Sequence, residues 1–133
     1  MTIGHGDVAQ ATDEFYRALN VLFTGDPVRM KALWSHADDV TYMGPDGKYL
    51  TGWADIAAEW DRQAALMLGG RVEPTRLHSV VGEDLAVITC VEAGVNETGV
   101  AGKTVSIRSS TVFRREHGAW KVIGHQTDLL AHV

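Results

Sequence analysis

The side chains with chemical reach are few, and their types point to proton transfer and to stabilisation of an anion or enolate. His125 sits in the alternating segment Trp120–Leu130. An imidazole ordinarily titrates near neutrality, so it can serve as general acid or base, contact a ligand, or simply be satisfied by a neighbouring threonine or backbone carbonyl. Arg108, in Lys103–Glu116, presents a planar cation able to bind a ligand carboxylate or steady an enolate, or to pair with Glu92 and fill the interior. His78 is expected to look inward from Arg71–Val81, in a core, hydrogen-bonding or ligand-contact role. Cys90, in the apolar run Val87-Ile88-Thr89-Cys90-Val91, reads as a buried and inert thiol. His36, Asp38 and Asp39 have the composition of a metal cluster but fall at a helix-to-strand bend, where capping and turn roles explain them, so no metal site is expected. There is no P-loop, no nucleotide-binding glycine pattern and no Ser-His-Asp arrangement with supporting context. The chemistry expected is therefore proton shuttling without a cofactor.

These residues ride on a chain that divides into a helical first half and a strand-rich second half. Val8, Ala11, Phe15, Leu19, Leu22 and Phe23 recur at helical spacing behind an Asp7–Gln10 capping-box pattern, and Gly25 is the natural stop. Asp26-Pro27 opens a second helix through about Trp34. Val40–Met43 reads as a short strand, Gly44-Pro45-Asp46-Gly47 as a turn in which both glycines can take positive φ, and Tyr49-Leu50 as a short return strand. Trp53, Ile56, Ala57, Trp60, Ala64 and Met67 form the apolar stripe of a third helix, closed by Gly69-Gly70. After Gly70 the period changes to two, giving four long strands at Arg71–Val81, Leu85–Val95, Lys103–Glu116 and Trp120–Leu130. Short connections between them imply antiparallel pairing. The expected fold class is α+β, with three N-terminal helices packed on one side of a strongly curved antiparallel sheet.

Composition bounds the function. A chain of 133 residues, 45% apolar and 22% charged, fits one domain spanning 1–133 and is too short for a two-domain dehydrogenase or a TIM barrel. A net charge of −5 argues against a nucleic-acid partner, and a single cysteine excludes an internal disulfide. No apolar run approaches the roughly 20 residues of a membrane span, and Met1–Gly6 lacks the basic start and apolar core of a signal peptide, so a cytoplasmic location without membrane association is expected.

Specific segments carry a family resemblance. Leu33-Trp34-Ser35-His36-Ala37-Asp38-Asp39-Val40-Thr41-Tyr42 resembles the second-helix-to-first-strand segment of nuclear transport factor 2-like proteins, and Gly52-Trp53-Ala54-Asp55-Ile56 resembles the opening of their third helix. Ser110 through Ile123, with Arg114-Arg115 and Gly118-Ala119-Trp120-Lys121, is similar to their final hairpin. The resemblance runs over nearly the whole chain and includes the SnoaL-like and ketosteroid isomerase-like branches. It implies a cone-shaped, cystatin-like α+β fold with a pocket between helices and sheet, usually dimeric.

Known catalytic constellations of that superfamily do not transfer. Aligned on this chain, the ketosteroid isomerase base falls on Gly44, its acid on Ser110 and its helix-one tyrosine near Ala18, with Tyr16 two residues away. The limonene epoxide hydrolase arginine matches Arg108, but its two acids fall on Ser110 and Thr127. The same alignments put Arg108, Ser110 and Val112 on the inner face of the penultimate strand, and Ile123, His125, Thr127 and Leu129 on that of the last, unless the phase is reversed and Gln126 and Asp128 point inward. Tyr16, Trp34, Tyr42, Trp53 and Trp60 belong to the elements that should cover the pocket, either as ligand contacts or as core.

Two readings stand. One is a small-molecule pocket protein, a cofactor-free isomerase, cyclase or dehydratase acting on an apolar carbonyl compound, with His125 and Arg108 as its catalytic pair. The other is a non-catalytic homodimeric binding or assembly module joined through its outer sheet face.

Overall fold

The computed structural model describes residues 5–96 and 103–128. Among these, three helices and six strands follow in the order α1 (His5–Leu22), α2 (Val28–Leu33), β1 (Thr41–Met43), β2 (Tyr49–Thr51), α3 (Trp53–Leu66), β3 (Arg71–Val81), β4 (Leu85–Asn96), β5 (Lys103–Glu116) and β6 (Ala119–Thr127). This is the α+β arrangement expected from the change of period at Gly70. The expected strand end at Leu130, the inward Leu129 and most of the Gly94–Gly102 connection lie outside the described residues.

Local sequence explains most element ends. α1 starts at His5, so Asp7 lies in its first turn rather than at the cap that the Asp7–Gln10 spacing suggests; a negative charge there still suits the helix dipole. Asp26 Oδ1 accepts the Val28 amide at 3.0 Å and so satisfies an open donor of α2. α3 ends on Met67 in the left-handed conformation, with its amide returned to the Ala64 carbonyl. Val8, Phe15, Leu19 and Leu22 of α1, Met30 of α2, and Ile56, Trp60 and Ala64 of α3 are buried against the sheet together with Trp34, Phe113 and Val122. Each large side chain so buried contributes roughly 1.5–3 kcal/mol.

The sheet order is β2-β1-β6-β5-β4-β3. The β3–β6 run is antiparallel, as the short connections require. β1 pairs with β6 in parallel, with Tyr42 opposite His125. No connection length announces this pairing, because α3 and four other strands lie between the two in the chain.

Strand phase departs from expectation on three strands. On β5 the buried side chains are Val105, Ile107, Ser109, Thr111 and Phe113, so Arg108, Ser110 and Val112 take the outer face. The larger apolar groups at odd positions decide this, and a shift of one residue turns every side chain of a strand over. On β6 the register shifts between Val112 and Phe113, where Gly124 and Val122 are consecutive partners and Ile123 is the extra residue. Trp120 and Val122 therefore face inward before the bulge, and His125 and Thr127 after it, while Ile123 loses the inward place that strict alternation assigns. A second irregularity lies between Thr75 and His78 on β3, where Arg76 takes φ 56°.

Candidate functional site

On β4, Ala86, Ile88 and Cys90 occupy the buried phase, and the next residue on that phase is a glutamate. Glu92 is 4% exposed, among apolar side chains, and an unpartnered carboxylate there would be costly. Three elements supply its partners. Tyr16, one helical turn before Leu19 on α1, donates its hydroxyl to Glu92 Oε2 at 2.8 Å. His125, on the inner face of β6, places Nε2 3.3 Å from the same oxygen. Ser109 adds a hydrogen bond from β5. The Tyr16 hydroxyl also lies 3.2 Å from Cys90 Sγ and 3.3 Å from Ser109 Oγ, so the thiol joins this hydrogen-bonded group rather than facing open space.

Burial alone would push the Glu92 carboxyl up, but the hydrogen bond and charge of His125, with the donors Tyr16 and Ser109, outweigh it and hold the group below the ordinary glutamate range. Burial and the Glu92 charge both raise the Tyr16 phenol, which stays protonated and donates. His125 Nδ1 lies 2.8 Å from Thr111 Oγ1, directly across the β5–β6 pair. Both ring nitrogens are thus engaged. The ionised Glu92 only accepts, so Nε2 carries the hydrogen that points to it.

Glu92 and His125 open onto a cavity of about 210 Å³ between the helices and the sheet. Phe15, Leu19, Phe23, Trp60, Val72, Val105 and Ile107 make its wall apolar, and Tyr42, Gln63 and Thr127 add polar groups. The exposed Asp46 and Leu66 stand at its rim. Phe15 packs against the imidazole with ring centroids 4.9 Å apart, and Tyr42 lies nearly parallel to it at 6.3 Å.

A second polar chain reaches the cavity from α3. Glu59 accepts from Lys48 Nζ at 2.9 Å and from Arg62 Nε and Nη2 at 2.9 and 2.6 Å. Gln63, one turn further along, donates Nε2–H to Glu59 Oε2 at 2.8 Å and to the Tyr42 hydroxyl at 3.0 Å. Burial works against the Glu59 charge, yet the donors Arg62, Gln63 and Lys48 bring its carboxyl down to about 2. Burial pushes the Tyr42 phenol above its usual value. Gly44 does not take the positive φ that its turn position suggests; its requirement is space, since a Cβ there would meet the Tyr42 hydroxyl at 2.8 Å.

Of the residues singled out from the sequence, His125, Tyr42, Trp60 and Thr127 share this cavity wall. Tyr16 reaches it through Glu92. Trp34 packs on Trp60, centroids 5.7 Å apart, and Trp53 stacks on His36 at 4.1 Å, so both serve packing rather than the cavity wall. Arg108 does not join His125: it lies on the outer face, 77% exposed, and pairs with Asp128 rather than with Glu92. Ser110 lies on that face too, accepting from Gln126 Nε2 at 3.2 Å. His78 is opposite Thr89 on the outer side because the β3 bulge resets the alternation. Arg108, Ser110 and Asp128 instead line a broad outer depression of about 580 Å³. Glu92 was expected only as a partner for Arg108, and Glu59, Gln63, Ser109 and Thr111 carried no expectation from the sequence. The signal for Glu92 was present, as a charge on the buried phase of β4; that for Gln63 is only its place one helical turn after Glu59.

A family model described as a SnoaL-like domain matches residues 8–128. No curated protein matches the chain. Among solved structures, a candidate dehydratase of the NTF2-like family from Streptomyces avermitilis is 24% identical, with a TM-score of 0.82 and 94% of each chain covered. A candidate calcium/calmodulin-dependent protein kinase type II association domain from Thiobacillus denitrificans is 25% identical, with a TM-score of 0.76 over 90% of this chain and 92% of that one. An NTF2-like protein with a cystatin-like fold from Novosphingobium aromaticivorans is 22% identical, with a TM-score of 0.67 over 95% and 86%.

Proposed function

The chain belongs to the SnoaL-like family of the nuclear transport factor 2-like superfamily, and from that premise we propose that it binds a small apolar carbonyl compound and moves protons on it through Glu92 and His125. The observation that carries this reading is the buried Glu92–His125 contact at 3.3 Å on the wall of an otherwise apolar cavity. A carboxylate in such a site is a competent base, and positioned proton transfer of this kind contributes about 10²–10⁴-fold. Glu92 takes a proton from the carbon beside the carbonyl. Once neutral, it no longer holds the His125 Nε2–H, which is then available to the developing enolate oxygen. Return of the proton from Glu92 to a different carbon completes an isomerisation; its delivery instead to a β-hydroxyl oxygen as the C–O bond breaks releases water, forms the C=C bond and restores the carboxylate, giving a dehydration. Fold alone decides neither outcome.

The test is hydrogen–deuterium exchange at the α-carbon of small ketones in D₂O, followed by NMR. Exchange by the wild type that falls at least about 100-fold in Glu92→Gln and in His125→Ala is expected. Exchange no faster than in buffer across a broad ketone panel, or variants as active as wild type, overturns the reading.

A second reading, a homodimeric binding or assembly module joined through the outer sheet face, is favoured by the engagement of both His125 nitrogens and by the likeness to a candidate association domain. Sedimentation separates the two: a monomer in solution removes the assembly reading.

A further inference from the structure

Tyr42 and Gln63 are bound into one donor–acceptor sequence whose direction is forced. Glu59 can only accept, so the Gln63 atom 2.8 Å from its Oε2 is the amide nitrogen. The second hydrogen of that nitrogen goes to the Tyr42 oxygen at 3.0 Å. The Tyr42 oxygen therefore already accepts, and its own O–H has no acceptor among the described residues. Arg62 and Lys48 hold Glu59 from the other side and keep it ionised, so the direction cannot reverse. Tyr42 is 4% exposed and lines the cavity beside His125, its neighbour across the parallel β1–β6 pairing. A buried hydroxyl hydrogen left without a partner is costly unless a ligand supplies one.

We propose that Tyr42 donates to the ligand's carbonyl oxygen and that Glu59 and Gln63 are positioning residues that commit it to this role. The proposal rests on the reading of the cavity as a carbonyl-compound site and adds which group recognises the oxygen. Cavity size narrows the ligand further. An engineered apolar cavity of about 150 Å³ takes benzene, so about 210 Å³ accommodates a single ring with a short substituent, on the order of nine heavy atoms. The site selects a neutral acceptor, a ketone, aldehyde or ester oxygen, in preference to a hydroxyl that must itself donate.

Acetophenone and α-methylstyrene, which differ only in C=O against C=CH₂, test this as a pair. Their dissociation constants are measured by NMR titration for the wild type, Tyr42→Phe, Gln63→Met and Glu59→Gln. The preference for acetophenone is expected to fall about tenfold in Tyr42→Phe and about threefold in the other two, with α-methylstyrene binding retained. A variant that merely loosens packing would weaken both probes equally and leave the ratio unmoved. An unchanged ratio in Tyr42→Phe, or loss of both probes together, overturns the assignment. Proton exchange is a separate readout: if both probes bind as expected and no exchange occurs, the Glu92–His125 reading fails and Tyr42 stands.

Discussion

His125 Nε2 and Glu92 Oε2 lie 3.3 Å apart on the inner sheet face, on the two strands that flank β5, each held by a further hydroxyl, Thr111 for the imidazole and Tyr16 for the carboxylate. The contact gives a buried carboxylate a donor and gives the imidazole a fixed orientation. Removing one partner strands the other inside the fold, whereas removing both leaves an apolar void that repacks more easily.

Coupling between the pair is therefore measurable. Urea unfolding of Glu92→Leu, His125→Leu and the double variant should show the double variant more stable than the sum of the singles predicts, by about 0.5–3 kcal/mol. Strict additivity would mean that the contact contributes nothing to the fold.

Tyr16→Phe removes the hydroxyl that donates to Glu92 at 2.8 Å while keeping the ring that packs edge-on against Phe15. A loss of about 1–3 kcal/mol in stability is expected. The ionised carboxylate loses stabilisation, so Glu92 takes up its proton at higher pH. The acid limb of any proton-exchange profile should move upward in pH, and a profile unchanged from wild type would show that Tyr16 does not act on Glu92.

Glu59 makes stability acid-sensitive. The fold holds its carboxyl at about 2, below the ordinary 4.5, so between those values the unfolded chain binds more protons and falling pH favours unfolding. The stabilisation is complete above about pH 4.5 and is lost as pH falls toward about 2. With half-exposed cations around it, its size is on the order of 1–2 kcal/mol. Melting temperatures at pH 6, 4 and 3 should fall less steeply in Glu59→Gln than in the wild type.

Gly44→Ala adds a Cβ 2.8 Å from the Tyr42 hydroxyl without backbone strain. The buried ring must shift, so acetophenone should bind several-fold more weakly, with a stability loss of about 1–3 kcal/mol. Equal affinity in the two proteins would show that the tyrosine's position is not fixed by this turn.

Arg108→Ala should leave ketone binding, proton exchange and the melting temperature unchanged, because the guanidinium is exposed on the outer face and pairs there with Asp128. Lost activity in this variant would restore Arg108 to the site.

The element order, the helix faces and the curved-sheet fold were legible because they rest on local periods. Phe15, Leu19 and Leu22 announce their helix face, and Ala86, Ile88 and Cys90 announce the strand phase on which Glu92 falls. Arg108 and Ser110 were placed inward by the superfamily alignments, against the pattern of β5 itself, whose larger apolar residues Val105, Ile107 and Phe113 stand at odd positions. His78 followed strict alternation, and periodicity does not show that β3 and β6 each gain an irregularity that resets it.

Local patterning suffices for three amphipathic helices covering a sheet of alternating strands, and it carries Glu92 on the same phase as Ala86, Ile88 and Cys90, although that acid was expected only as a partner for Arg108. Tertiary structure alone decided what that acid meets. The parallel β1–β6 pairing sets Tyr42 beside His125, and the β6 bulge turns His125 inward while Val122 remains buried. Both depend on hydrogen bonds between strands far apart in the chain, and periodicity within a segment carries no information about its partner.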